Sequence, residues 1–184
     1  MKKYTITALV LTLIAGVCAA LIASINLLTA PIITKNNDEK KSKLCAQIFE
    51  TFDLEHSTII SEGFSSDFIE ENIIACDKDG NVLGWIFTVS GSNAYGQIVL
   101  LVGINIDEKL EGVRFITNGQ SFSSETEKHL NTQYKDDMSL DDVLDLDLSK
   151  SDVTAGATYA SKLIRELVSA AFTEVAVTNK GGAN

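Results

Sequence analysis

Ile73-Ile74-Ala75-Cys76-Asp77-Lys78-Asp79-Gly80-Asn81-Val82-Leu83-Gly84-Trp85-Ile86-Phe87-Thr88-Val89 reads as two strands around a tight turn. Apolar, β-branched and aromatic residues flank Lys78-Asp79-Gly80-Asn81, and Gly80 can take the positive φ that a hairpin turn needs. Asp77, Asp79 and Asn81 imitate the first ligands of a calcium loop, but the rest of that ligand set, including its terminal Glu, is missing. The segment therefore reads as a turn. A Gly/Ser/Asn stretch, Ser90-Gly91-Ser92-Asn93-Ala94-Tyr95-Gly96, separates this hairpin from a strongly apolar run at 98–106, which is expected as a central strand. Residues 107–112 turn that run back into Val113-Arg114-Phe115-Ile116. Two successive hairpins predict an antiparallel sheet.

Downstream, Thr117-Asn118-Gly119-Gln120-Ser121-Phe122 is a polar loop at a strand end. Ser124 and Glu127 have capping-box spacing, which predicts a short helix over 124–131. In residues 138–148, Asp141, Asp142, Asp145 and Asp147 alternate with Leu140, Val143, Leu144, Leu146 and Leu148. This interleaving describes a half-buried surface segment better than a divalent-metal site. His56 and His129 have no Cys or second His at ligand spacing, so no metal site is read from them. No acid, base or nucleophile constellation is evident, and an enzyme acting alone is not expected.

The C-terminal part opens on Asp152-Val153-Thr154-Ala155-Gly156-Ala157-Thr158, a loop-to-helix junction with a long helix expected from Tyr159. Ala160, Leu163, Ile164, Leu167, Val168, Ala171, Phe172 and Val175 recur at i, i+3, i+4 and i+7, one apolar helical face. Gly156 and Ala157 carry almost no side chain, so another molecule can approach their backbone, and free N–H groups at a helix start favour an anion there. Thr158 sits where a phosphate would be held; the plainer reading of a Thr at a helix start is a cap.

At the other end, residues 6–28 contain no charge and are dominated by Leu, Ile, Val and Ala. About 20 such residues cross a bilayer core as a helix. The apolar core of a cleavable signal peptide is shorter, about 7–15 residues, so this segment is expected to remain as a signal anchor. A lipid-attachment reading of Cys18 is poor because bulky Val17 precedes it. Lys2 and Lys3 flank one side of the span, and Lys35, Lys40, Lys41 and Lys43 the other, so the charge rule leaves orientation undecided. Pro31 is expected to mark the helix exit. After it, residues 34–54 read as a polar stalk whose Leu44, Ile48, Phe49 and Phe52 can pack on the domain.

Lys2, Lys3 and Lys35 are the only charges in the first 35 residues, which leaves 12 of the 15 Lys+Arg against all 25 Asp+Glu in the remainder. That acidic field repels nucleic-acid phosphates and anionic headgroups, so no nucleic-acid partner is expected and attachment to the bilayer rests on 6–28. Cys45 and Cys76 are the pair available for a disulfide outside the cytoplasm, and two free thiols is the plainer reading.

An N-terminal helix ending in Leu27-Leu28-Thr29-Ala30-Pro31-Ile32-Ile33, paired hairpins with Tyr95-Gly96-Gln97-Ile98 between them, and Gly156-Ala157-Thr158 before a C-terminal helix occur in this order in one family. The chain resembles the membrane-anchored, FMN-binding subunit of the Rnf-type ferredoxin:NAD⁺ oxidoreductase, related to a subunit of the sodium-pumping NADH:quinone reductase. The resemblance implies an α+β fold, one transmembrane helix followed by an antiparallel-sheet FMN-binding domain with flanking helices. It implies an anchor over 1–34, a stalk helix over 35–56 and an FMN domain over 57–184, outside the cytoplasm. It further implies FMN joined covalently through its phosphate to Thr158, with Ala155, Gly156 and Ala157 beside it and Asn118, Gln120 and Ser121 in the loop facing the flavin. The implied partners are a flavin transferase and the other membrane and flavin or iron–sulfur subunits of the complex. Two departures stand out. Ala155 replaces a hydroxyl residue, and Asn118-Gly119-Gln120-Ser121-Phe122 occupies the place of a His-x-Glu-Thr-Pro-Gly loop. They motivate the alternative of a flavin-free, membrane-tethered interaction or assembly module on the same fold.

Overall fold

The structure is a computed structural model that describes residues 2–148 and 155–181. It divides into two compact units, residues 1–40 and 41–184. The first is built from helix α1, Lys2–Cys45, whose last residues belong to the second unit. Within α1, Ala8–Leu27 is long and apolar enough to cross a membrane and has no buried residue. The hydroxyls of Thr12, Ser24 and Thr29 donate to the carbonyls of Ala8, Ala20 and Ile25 at 2.9, 2.8 and 2.9 Å. These three hydroxyls are thus satisfied by their own helix, as a hydrocarbon surrounding demands. The helix does not end at Pro31 as the sequence suggests; it continues to Cys45. A proline removes one N–H, and long apolar helices accommodate that loss without terminating.

The second unit is a five-stranded antiparallel meander in the order β1-β2-β3-β4-β5: Asp53–Ile60, Ile69–Cys76, Val82–Asn93, Gly96–Asn105 and Leu110–Asn118. Both predicted hairpins are present. Gly80 has φ +82°, and Asp77 Oδ1 accepts from the N–H groups of Asp79 and Asn81, each at 2.9 Å. These bonds, with Asn81 Nδ2 donating to Oδ2, hold the Asp77 carboxyl below the usual carboxylate range and make this segment a self-contained turn. The polar stretch before the second hairpin is not a separator. Ser90-Gly91-Ser92-Asn93 continues β3, paired residue by residue with Val99-Ile98-Gln97-Gly96, and only Ala94 and Tyr95 form the turn. Ladder hydrogen bonding to β4 overrides the weak strand preference of those residues.

Side-chain alternation assigns the two faces of the sheet. Phe87, Val89, Leu100, Val102, Ile104 and Val113 join the core beneath α4, Ala155–Gly181. All eight residues of the predicted apolar face of α4 are buried. Ile73, Ala75, Ile86 and Leu101 face the other way and are covered by Cys45, Ile48 and Phe49, with Leu44 and Phe52 at the margin. The chain leaving α1 therefore supplies a second cover for the sheet. Ile48 fits a hollow left by Gly103, where an added Cβ would overlap Ile48 Cγ2. Lys41 Nζ meets Glu71 Oε1 at 2.6 Å beside it. Both cysteines of this unit are free and buried, and desolvation pushes the Cys45 thiol up to about 11, so it stays protonated at neutral pH.

Two shorter helices complete the layer around α4. Helix α2, Ser123–Gln133, starts at Phe122, and the capping box expected at Ser124 and Glu127 is not formed. Thr126 instead turns its amide and hydroxyl back to the Phe122 carbonyl, at 3.0 and 2.7 Å. The box belongs to α3, Leu140–Leu144, where Ser139 and Asp142 cap each other and Val143 is buried. On the far side, Glu174 of α4 accepts from the amide and hydroxyl of Ser65, which fastens the β1–β2 connection to the helix.

The Ile48 knob makes a direct prediction. Ile48→Ala should lower the unfolding free energy of a chain starting at Lys41 by about 2–5 kcal/mol, because Gly103 offers nothing to refill the hollow. Urea unfolding measures this, and a loss under about 0.5 kcal/mol would show that this cover is dispensable.

Candidate functional site

Three elements meet at one end of the sheet: the β3–β4 turn, the loop after β5 and the start of α4. The turn is preorganised by Asn93, whose Oδ1 accepts from Tyr95 N–H at 2.8 Å. Gly96 follows with φ +139°, and an added Cβ there would overlap the Gly119 carbonyl. This close approach lets the loop lie flat on the turn. Gly119 N–H donates to Gln97 O at 2.9 Å, and Ser121 donates its amide and hydroxyl to Tyr95 O at 3.1 and 3.3 Å. Gln120 Nε2 reaches Gly96 O at 2.6 Å.

The loop amides are thus engaged by backbone. Asn118 Oδ1 accepts from Gln120 N–H at 3.3 Å while its Nδ2 donates to Ser123 O at 3.0 Å, tying the loop to α2. Gln120 is buried, and its Oε1 has no protein partner among the described residues. Asn93 Nδ2 is likewise unpartnered. A buried acceptor and a buried donor without partners each cost about 1–3 kcal/mol, so this corner retains unused hydrogen-bonding capacity.

Helix α4 begins at Ala155, four residues before the expected Tyr159. Ala155 and Ala157 are strong helix formers, and the low-propensity Gly156 lies within the first turn where the helix tolerates it. Ala155, Gly156, Ala157 and Thr158 take the first four helical positions, whose N–H groups have no acceptor within the helix. Thr158 is exposed. Asp152, Val153 and Thr154, read above as part of this junction, lie outside the described residues. The next residue, Tyr159, is 59% exposed and meets Tyr95 of the turn, ring centroids 5.7 Å apart and planes inclined by 35°. That contact joins the first turn of α4 to the hairpin and, through Ser121 and Gln120, to the loop. Sequence reading assembled Thr158 and the loop residues but overlooked Tyr95 as a site residue. Its signal was an aromatic side chain set among Gly, Ser and Asn with no apolar partner nearby in sequence.

Among the described residues no group of three or more His, Cys, Asp or Glu side chains is placed to hold a metal ion. The donors available to an anion at the start of α4 are backbone amides and the Thr158 hydroxyl, with the exposed Lys162 one helical turn further on.

A family model described as the RnfG N-terminal region matches residues 1–48, which covers α1 and ends on the Ile48 knob. Residues 1–48 are thus similar to the N-terminal region of RnfG proteins. Residues 49–184 lie beyond the match, and no curated protein matches the chain. The RnfG match supports a role in the Rnf complex alongside its other subunits, and with the apolar α1 it supports attachment to a membrane.

The loop latch is tested at Gly96. Gly96→Ala should cost about 1–3 kcal/mol, since the positive φ and the lost clearance both oppose a side chain. Hydrogen exchange should quicken at the Gly119 and Ser121 amides and stay slow along the buried face of α4. Unchanged protection at those two amides would mean that the loop holds itself without the turn.

Proposed function

We propose that the chain is an electron-carrier subunit of a membrane-bound, ion-translocating ferredoxin:NAD⁺ oxidoreductase, with FMN attached by a phosphodiester to Thr158 and its domain on the extracytoplasmic side. The supporting observation is the exposed Thr158 hydroxyl in the first turn of α4, next to the Tyr95–Tyr159 contact and the latched loop. FMN, when bound, supplies the electron-transfer chemistry.

The residues present suit that group. Thr158 offers a hydroxyl nucleophile open to a maturation enzyme. Helix N–H groups at Ala155, Gly156 and Ala157 and the positive end of the helix dipole favour the phosphate. Gly156 lacks a Cβ, so the approach to this backbone is not blocked by a side chain. Tyr95 and Tyr159 offer aromatic surface at the mouth, and the unpartnered Gln120 Oε1 and Asn93 Nδ2 are an acceptor and a donor of the kind that a flavin edge complements. Attachment through one phosphate oxygen tethers the cofactor while leaving its ring able to meet electron donors and acceptors in neighbouring subunits. A flavin transferase would deliver FMN from FAD: the Thr158 oxygen would bond to the FMN phosphorus as the pyrophosphate P–O bond breaks, AMP would leave, and the hydroxyl proton would pass to a base of the transferase.

One observation favours the second reading, a flavin-free tethered module. Asn118 and the Gln120 amide nitrogen are engaged in holding their own loop, a purely structural use.

Mass measurement separates the two. After coexpression with a flavin transferase, the natural sequence should gain the FMN mass, Thr158→Ala should lose it and remain folded, and Thr154→Ala should keep it. A cap loss at Thr158 costs only about 0.5–2 kcal/mol, which leaves folding intact. Retention by Thr158→Ala with loss in Thr154→Ala would move the acceptor. A natural sequence that never gains the mass would favour the flavin-free module.

A further inference from the structure

Helix α2 buries a polar pair that the candidate site does not use. His129 keeps 5% of its surface and Tyr134 8%, and neither His129 ring nitrogen nor the Tyr134 hydroxyl has a protein hydrogen-bond partner among the described residues. The rings meet edge to face, centroids 6.1 Å apart and planes at 75°. Tyr134 packs in the same core as Leu130, Val143 and the apolar face of α4. An imidazolium in that position would present two N–H donors and a full charge to a surrounding with no acceptor, far costlier than a neutral ring.

The charged groups nearby offer it no counter-ion. From α4, Arg165 acts on Tyr134 and is itself a cation, with Nη1 3.4 Å from Leu144 O, while Lys162 and Glu166 are exposed, as are Lys135, Asp136 and Asp137 just after α2. On α2, Glu125, Glu127 and Lys128 are exposed. On α3, Asp141 and Asp142 are exposed, and Asp142 is engaged by Ser139. On β5, Glu111 accepts from Asn105, and Arg114 donates to the carbonyls of Val113 and Gln47. Burial is the influence that acts on His129, and it holds the ring below its ordinary value.

The start of α2 is continuous with the site loop. Phe122 O accepts both the amide and the hydroxyl of Thr126, and Ser123 O accepts from Asn118. Docking of α2 and order in the loop are therefore mechanically joined.

We infer that His129 is an acid-sensitive clasp: its imidazole can take up a proton only when α2 is undocked, so acidification releases α2 and with it the loop at 118–121. The sign follows from linkage. The folded-state value is lowered, so the undocked state binds more protons below about pH 6.5. Docking stability is full above that pH and is lost as pH falls towards the folded value. His56 works in the opposite sense, raised by its hydrogen bond to Asp53, and belongs to β1 rather than to this cluster.

Hydrogen exchange on the full chain in nanodiscs, corrected for the intrinsic pH dependence, tests the clasp without reference to any cofactor. Between pH 7.5 and 5.5 the opening constant of α2 and loop amides should rise about tenfold, as expected for a ring that titrates near 6.5 only when open. The central α4 amides should not follow. His129→Phe should abolish the pH dependence. No rise in the natural sequence, or the same rise in His129→Phe, would overturn the inference. Should that variant fail to fold, the His56→Ala chain leaves one imidazole signal for magnetic resonance titration. A folded-state midpoint clearly below that of a free imidazole peptide measured alongside supports the clasp, and a midpoint equal to or above the peptide's contradicts it.

Discussion

The domain depends on β3 and β4 being covered on both faces at once. Phe87, Leu100, Val102 and Ile104 need α4, while Ile86 and Leu101 need Ile48 and Phe49. A strand buried on both sides cannot show the polar alternation of a half-exposed one, which is why residues 98–104 are apolar almost without interruption. The two covers come from opposite ends of the chain. One is the long C-terminal helix that carries Thr158, and the other is the segment that leaves the apolar N-terminal helix. Folding the sheet therefore fixes the start of α4 and anchors the chain emerging from α1 in the same hydrophobic event.

The corner that holds the candidate site inherits its order from that packing. Once α4 lies on the sheet, Tyr159 is brought to the β3–β4 turn, and the turn in turn holds the loop through backbone hydrogen bonds at Gly119 and Ser121. An acidic domain would repel an anionic ligand at long range, so a phosphate here relies on short-range amide donors and the helix dipole, or on a covalent bond. The covalent option in the proposal answers a physical difficulty that the composition creates.

Much of this was legible before the fold was seen, where side-chain periodicity carried the information. The apolar face of α4 was read without a miss, both hairpins were found, and the packing of Ile48 and Phe49 followed from their apolar character in a polar stretch. The failures are local contests that pattern does not decide. Ser90-Gly91-Ser92-Asn93 looks like a loop but is held as strand by the ladder to β4. Pro31 looks like a stop but sits inside α1, and Ser124 looks like a cap but lies within the first turn of α2. The roles of Tyr95 and of buried His129 depend on contacts between residues distant in sequence, which spacing cannot report. The loop amides at Asn118 and Gln120 were read as groups facing a ligand, and the structure shows the hydrogen bonds that occupy much of their capacity.

A covalent flavin at the start of α4 is tested most directly on the native protein. Purified from its own membrane and run on a denaturing gel, the chain should keep flavin fluorescence in its band, and the fluorescent proteolytic peptide should contain Thr158. Fluorescence that leaves the band on denaturation, or that maps to a peptide without Thr158, would contradict the account.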